Sequence, residues 1–260
     1  HIYSDYSDFD LKKNNEKKIA VIGVSVLSLF NVCKKVFKFF DYCLIEKPPG
    51  YNFEQSLKIL NLSKKYNTKV FVALNRRSYP STIQLKKLLN KEKGKRIINI
   101  TDFEAPSLQK NKPKDLINNW MFANSIHMID YINILCRGKK KSIENFTISK
   151  SLDRVSIIKF SSGDICIYKG IWNRPGPWMV TVSTQDKYFQ LQPLENLSFR
   201  SSESYIMKKI NLNLENKKYK SGFKEQAKNF LLAIQNKKHQ LASLEDAVKT
   251  MKLIKGIYNK

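Results

Sequence analysis

The order in which apolar runs alternate with helical patterns constrains this chain more than any other feature. "IAVIGVSV" at 19–26, "YCLIE" at 42–46 and "KVFVA" at 69–73 are short and almost continuously apolar. Between them lie "LSLFNVCKKVFKFF" and "FEQSLKILNLSKKYN", where apolar residues recur at helical spacing. Strands apolar at nearly every position are covered on both faces, whereas a strand with one wet face alternates. Strand–helix–strand–helix–strand therefore predicts a parallel sheet sandwiched by helices, an incomplete doubly wound (Rossmann-type) α/β domain over residues 1–75.

Residues 76–260 read differently. A helix around 80–92 follows Pro80, "KRIINITDFE" is a strand, and 115–136 reads as one long helix. Then come "SIENFTISKS", "RVSIIKFSSG", "DICIYKGIW", "WMVTVST", "KYFQLQPLE" and, more weakly, "MKKINLNL", separated by turn signals. Ser162-Gly163-Asp164 is a hairpin tip and Pro175-Gly176-Pro177 a wider loop. Two helices close the chain, the second capped by Ser243 with Glu245 and Asp246 behind it. The expectation is an α+β domain with a mainly antiparallel open sheet, its terminal helix packing back on the first domain.

One stretch raises a chemical question. In "YCLIEKPPGYN" at 42–52, a buried strand runs into Glu46-Lys47-Pro48-Pro49-Gly50. Two prolines and a glycine continue neither a ladder nor a helix, so a lysine is held where a core strand leaves its sheet. Read locally, it either caps a turn or serves a ligand, since open parallel sheets bind ligands at the carboxyl ends of their strands.

Composition bounds the function classes. The chain is 42% hydrophobic and 12% aromatic, which suits a folded protein. No run of about 18 apolar residues exists, so no membrane span is expected. Cys33, Cys43, Cys136 and Cys166 show no CxxC spacing. They read as reduced thiols of a cytoplasmic protein, and no metal site is expected. The net charge of +25 is compatible with a polyanion partner. The lysines are scattered along helix faces and loops, however, with "RGKKKS" at 137–142 the one dense cluster. Compositional bias explains that better than a basic nucleic-acid-binding module, which stays as a third reading.

Taken together, Glu46-Lys47-Pro48 after a strand, "VALNRRSYPS" at 72–81, "NSIHMID" at 124–130, "FSSGDICIYKGIW" and "SLEDAVKTMKLIKGIY" resemble motifs of one family in the same order. It is the glucose–fructose oxidoreductase / inositol dehydrogenase / rhizopine-catabolism family of NAD(P)-dependent dehydrogenases, and the resemblance spans essentially the whole chain. It implies hydride transfer between NAD or NADP and a hydroxyl carbon of a sugar, cyclitol or nucleotide-sugar. It also implies a homo-oligomer formed through the open sheet of the second domain. Lys47 would sit beside nicotinamide and carbinol, and His127 would accept or relay the proton, with Asp130 one turn on to orient its ring. Cofactor contacts would fall to Gly23, Val24, Ser25, Glu46, Lys47 and Asn75. Substrate candidates are Arg77, Trp120, Asn124, Tyr168, Trp172, Asn173, Arg174 and Trp178, because aromatic faces stack on sugars and Arg and Asn bind hydroxyls or anions.

Three departures accompany the resemblance. Many relatives carry an Asp four residues before the His, where this chain has Ala123. Relatives commonly have a Thr-Pro-Asn type turn where this chain has Val24-Ser25-Val26. No GxGxxG occurs anywhere in the 260 residues. An amino-terminally truncated copy with an incomplete cofactor site is therefore expected, and a non-catalytic remnant is the alternative to an enzyme.

Overall fold

β1 (Ile19–Ile22), β2 (Tyr42–Ile45) and β3 (Lys69–Val72) form a parallel sheet in that order, in the computed structural model, which describes residues 17–109, 111–148, 152–212 and 219–259. Cys43 lies opposite Ala20 on one side and Val70 on the other. The crossovers are α1 (Val26–Val36) and α2 (Phe53–Lys65). Leu29, Cys33 and Val36 repeat at helical spacing and are the buried face of α1. All four residues of β2 are buried, the double-sided covering that its unbroken apolar sequence requires. β1 is the edge of this sheet among the described residues, and Val21 on it is 72% exposed.

After α3 (Pro80–Leu89), β4 (Ile97–Glu104) opens a second, eight-stranded sheet. Its other strands are β5 (Lys140–Thr147), β6 (Arg154–Phe160), β7 (Ile165–Trp172), β8 (Met179–Ser183), β9 (Lys187–Leu191), β10 (Ser198–Ser201) and β11 (Lys208–Lys209). The spatial order is β11-β10-β9-β8-β4-β7-β6-β5. β4 lies between β7 and β8 and runs parallel to β7; the other neighbours are antiparallel. The Ser162–Asp164 hairpin tip forms as expected, with Gly163 at φ +85°. β10 was not expected from the sequence, and the "MKKINLNL" strand shrinks to the two residues of β11. The ends of the expected strands at 149–151 and 213–214 lie outside the described residues.

The single helix expected at 115–136 is broken into α4 (Lys114–Asn118), a π-type turn (Met121–Ser125) and α5 (Ile126–Leu135). The cause is local competition. The Asp115 carbonyl, which would receive the Asn119 amide in a continuing helix, instead accepts from the Asn119 side chain at 3.1 Å and the Tyr51 hydroxyl at 2.8 Å. α5 packs between β4 and the closing helix, so its mid-helix face carries no wet stripe: Ile126 to Ile132 are all buried.

α6 (Phe223–Ile234) precedes a two-residue strand, β12 (Ala242–Ser243), which adds antiparallel to β3. α7 (Leu244–Tyr258) starts at Ser243, whose hydroxyl accepts the Asp246 amide at 3.1 Å. It packs on α2 and β3 on one side and on α5, β5 and β6 on the other. No described helix is long and apolar enough to cross a membrane.

Candidate functional site

Three segments meet where the first sheet's strands end: the turn after β2, the 3-10 turn Asn75–Ser78 after β3, and the π-type turn leading into α5. Lys47 is half-buried at the first of them. Gly50, at φ +142°, closes that turn against the start of α2; a Cβ there would meet the Ser56 nitrogen at 2.7 Å. Tyr51 anchors it to the α4 segment, since its hydroxyl accepts from Asn119 at 2.6 Å. Lys47 Nζ thereby reaches the Ala123 carbonyl at 2.9 Å. Burial pulls its pKa down and Arg76 does so further, while Glu46 and Glu104 oppose them.

His127 lies four residues beyond Ala123, on the same helix face. It is 8% exposed, and its Nδ1 is buried without a hydrogen-bond partner. Burial holds its pKa well below the ordinary value, and the charges on Lys47 and Arg76 push the same way, so the imidazole is neutral at neutral pH. Asp130 does not orient that ring. Its two oxygens take the Arg77 guanidinium at 2.6 and 2.7 Å, and Oδ1 also accepts from Thr250 at 2.9 Å.

Two adjacent arginines therefore separate. The 3-10 turn sends Arg77 inward, to Asp130 and to Asp246 at 3.3 Å, so its guanidinium is spent on an interior ion pair and not on a ligand. Arg76 points the other way. Its guanidinium lies over the Trp178 ring, 5.1 Å from the centroid, and its Nη1 is buried with no partner. Trp178 is 41% exposed and its indole donates to the Phe103 carbonyl at 2.7 Å.

Behind these cations stand two carboxyls that the sequence reading passed over. Residues 98, 100, 102 and 104 share the inner face of β4, so strand alternation puts Asp102 and Glu104 where Ile98 and Ile100 are core. Glu104 is 2% exposed and accepts from Trp120 Nε1 at 2.6 Å and from Asn124 Nδ2 at 2.9 and 3.0 Å. Asp102 accepts from the Tyr168 hydroxyl at 2.7 Å, and its Oδ1 has no partner. Burial and the neighbouring Asp102 push the Glu104 carboxyl up to about 8; burial likewise raises Asp102. The signal in the sequence was two acids at i and i+2 on a strand whose other inward positions are isoleucine.

Other expected residues are distributed as follows. Trp120 and Asn124 border the cluster through Glu104. Trp172 is core: it is buried and its indole donates to the Tyr258 hydroxyl at 3.0 Å, behind the carboxyl pair. Tyr168 is equally buried in that network. Arg174 pairs with Asp153 at 3.1 Å, and Asn173 accepts from the Ser107 amide at 3.2 Å, both in the strand-end region after β7. Gly23, Val24 and Ser25 form the turn at the carboxyl end of β1, where a Cβ on Gly23 would meet nothing within 4 Å. Glu46 accepts the Lys47 amide at 3.2 Å, and Asn75 makes a long 3.5 Å contact to the Ser221 carbonyl. A cleft of about 270 Å³, bordered by Ser63, Asn67, Lys69, Ser243 and Glu245, lies at the opposite end of β3 and contains none of this chemistry.

No protein-family model matches the chain, and no curated protein matches it in sequence. Solved structures do. UDP-N-acetylglucosamine 3-dehydrogenase GnnA from Acidithiobacillus ferrooxidans superimposes with a TM-score of 0.74 at 13% identity, covering 93% of this chain and 78% of that one. The WlbA dehydrogenase from Chromobacterium violaceum, solved with NADH and UDP-GlcNAcA, gives 0.68 at 13%, covering 99% and 78%. A super-repressor mutant of Gal80p from Saccharomyces cerevisiae gives 0.74 at 13%, covering 93% and 77%. The fold of this chain is the one those proteins share: a parallel Rossmann-like sheet followed by a separate, mainly antiparallel eight-stranded sheet.

Proposed function

We propose that this chain is an oxidoreductase of the glucose–fructose oxidoreductase / inositol dehydrogenase / rhizopine-catabolism type. It would move hydride between NAD or NADP and a hydroxyl carbon of a sugar, cyclitol or nucleotide-sugar. The observation that carries this reading is the convergence of Lys47 and His127 at the carboxyl ends of parallel strands, through the Lys47–Ala123 contact. Similarity in fold to GnnA and to the NADH-bound WlbA supports a nicotinamide cofactor and a sugar-like substrate.

The residues present fit the nicotinamide end of such a cofactor. Open space lies over Gly23, and two buried nitrogens, His127 Nδ1 and Arg76 Nη1, lack partners. When bound, the cofactor supplies the hydride acceptor or donor. Lys47 holds the substrate hydroxyl and stabilises the oxygen as its proton departs. Neutral His127 takes that proton. Burial between two cations disfavours the imidazolium, which keeps the ring ready as a proton acceptor. Arg76 on Trp178 offers a cation and an aromatic face for an anionic or sugar group. Apolar residues on the outer face of the larger sheet, including Ile97, Ile157, Ile165 and Ile167, support association with a second copy there.

The test is a panel of sugars, cyclitols and UDP-sugars with NAD and NADP, followed by the near-ultraviolet absorbance of reduced nicotinamide. Turnover with a hydroxylated substrate, lost in Lys47→Met, is expected. A second reading, a non-catalytic remnant that binds ligand without turnover, is favoured by Ala123 and by the absence of a GxGxxG segment. Calorimetric binding of cofactor or sugar with no reduction across the panel would establish that reading instead.

A further inference from the structure

Asp102 and Glu104 are two carboxyls on one face of one strand, both almost completely buried, and the hydrogen bonds they receive come from neutral donors: Tyr168, Trp120 and Asn124. The two carboxyls contact each other directly, and two like charges in contact in the interior are not both sustained. Gly170, opposite Asp102 across β4 and β7, leaves the room that the Tyr258 hydroxyl occupies; a Cβ there would meet that oxygen at 2.6 Å. Tyr258 bridges Tyr168 at 2.9 Å and Trp172 at 3.0 Å, sealing the pair from behind. Apart from its contact with Asp102, the Glu104 carboxyl meets Trp120 and Asn124, on the side away from Tyr258. The Asn124 amide gives its nitrogen to Glu104, and its Oδ1 accepts from no donor among the described residues.

We propose that Asp102 and Glu104 share one proton at neutral pH and act as a positioning pair, holding Asn124 by its nitrogen so that its carbonyl oxygen accepts a ligand hydroxyl placed at Lys47. The pair supplies, one layer behind Ala123, an acidic group that the helix itself lacks. The ligand arm rests on the reading given under Proposed function; the shared proton and the held amide do not.

The groups facing the pair are Lys47 from the turn after β2 and Arg76 from the turn after β3. Trp120, Asn124 and Ser125 face it from the α5 approach, Tyr168 from β7 and Tyr258 from α7, with Arg154 stacked behind Tyr258. Both tyrosines are raised above their usual range by burial and by Asp102, so they donate and do not titrate near neutrality. Lys47 and Arg76 oppose protonation of the pair, yet neither donates a hydrogen bond to it.

Infrared difference spectroscopy on the unliganded wild-type chain tests the proton directly. A protonated-carboxyl C=O band present at pH 6.5 and vanishing with a midpoint near the value of about 8 for Glu104 is expected. The Asn124 side-chain amide resonances, assigned by their loss in Asn124→Ser, are expected to shift with the same midpoint. Both titrations are expected to disappear in Glu104→Gln. Asp102→Asn serves as the second variant should the first not fold. A wild-type spectrum without such a band at pH 6.5 overturns the shared proton. Asn124 resonances that stay still through the titration overturn the positioning role. Because no cofactor or substrate is present, these outcomes are independent of whether the chain turns anything over.

Discussion

The Lys47 ammonium donates to the main-chain oxygen of Ala123, four residues before His127, across 2.9 Å. A backbone carbonyl thus receives the lysine at a helix position with no polar side chain. The contact brings the end of β2 to the π-type turn, and it places the cation beside a buried, neutral imidazole. Irregular helical turns of this kind are frequent at functional sites because they re-aim backbone groups.

Replacing Lys47 with Met keeps most of its volume and removes its charge. In the substrate panel, kcat is expected to fall by roughly 10² or more, the usual scale for a positioned acid–base group. A variant within about threefold of wild type would return Lys47 to a turn-capping role.

His127 makes a pH prediction with a definite sign. Its folded pKa lies below the unfolded value near 6.5, so the unfolded chain binds the proton more readily. The contribution of neutral His127 is present above that value and is lost as pH falls below it. Thermal midpoints of wild type measured downward from pH 7 should drop more steeply than those of His127→Ala. Equal slopes would mean that the imidazole protonates freely in the folded protein.

Arg76 and Arg77 are expected to respond in opposite ways to the same substitution. Arg77→Met leaves Asp130 buried and unpaired, which costs about 3–5 kcal/mol of stability. Arg76→Met removes a cation from the face of Trp178 and is expected to change stability by about 1 kcal/mol or less. On the reading proposed above, the panel should show raised KM with the fold intact. Urea unfolding and kinetics on both variants check the pair, and comparable destabilisation by the two would contradict the division of roles.

Glu104 should make the folded protein less stable as pH rises. Its folded pKa of about 8 exceeds the ordinary 4.5, so between those values the native state holds the extra proton. That stabilisation is complete below 4.5 and declines up to about 8. Denaturant midpoints across this window should flatten in Glu104→Gln; an unchanged slope would assign the wild-type decline to other groups.

Much of this architecture was legible locally. Apolar runs marked β1 to β3 as strands; β2 is covered on both faces as such a run requires, whereas β1, an equally apolar run, is an edge with Ile19 and Val21 exposed. The Pro-Pro-Gly turn marked the place where Lys47 leaves the sheet, and Ser243 marked the start of α7, because caps and turns are decided by a few neighbouring residues. The break in the 115–136 helix was not legible, since it depends on Tyr51, which is distant in sequence, taking the Asp115 carbonyl. The insertion of β4 between β7 and β8 was not legible either, because strand pairing across long separations leaves no local pattern.

By itself, the sequence determined most of the strands and helices, the two-sided burial of β2, and the turn where Lys47 leaves its strand. Those properties follow from side-chain period and turn chemistry, whereas His127 stood out only through the family resemblance. Only the tertiary structure decided what each polar side chain meets. It turned Arg77 and Asp130 into an interior ion pair, left Arg76 free to face the cluster, hid Trp172 behind Tyr258, and set Asp102 and Glu104 side by side. A charged group's role depends on its partner and its distance from water, and the chain supplies both only when it folds.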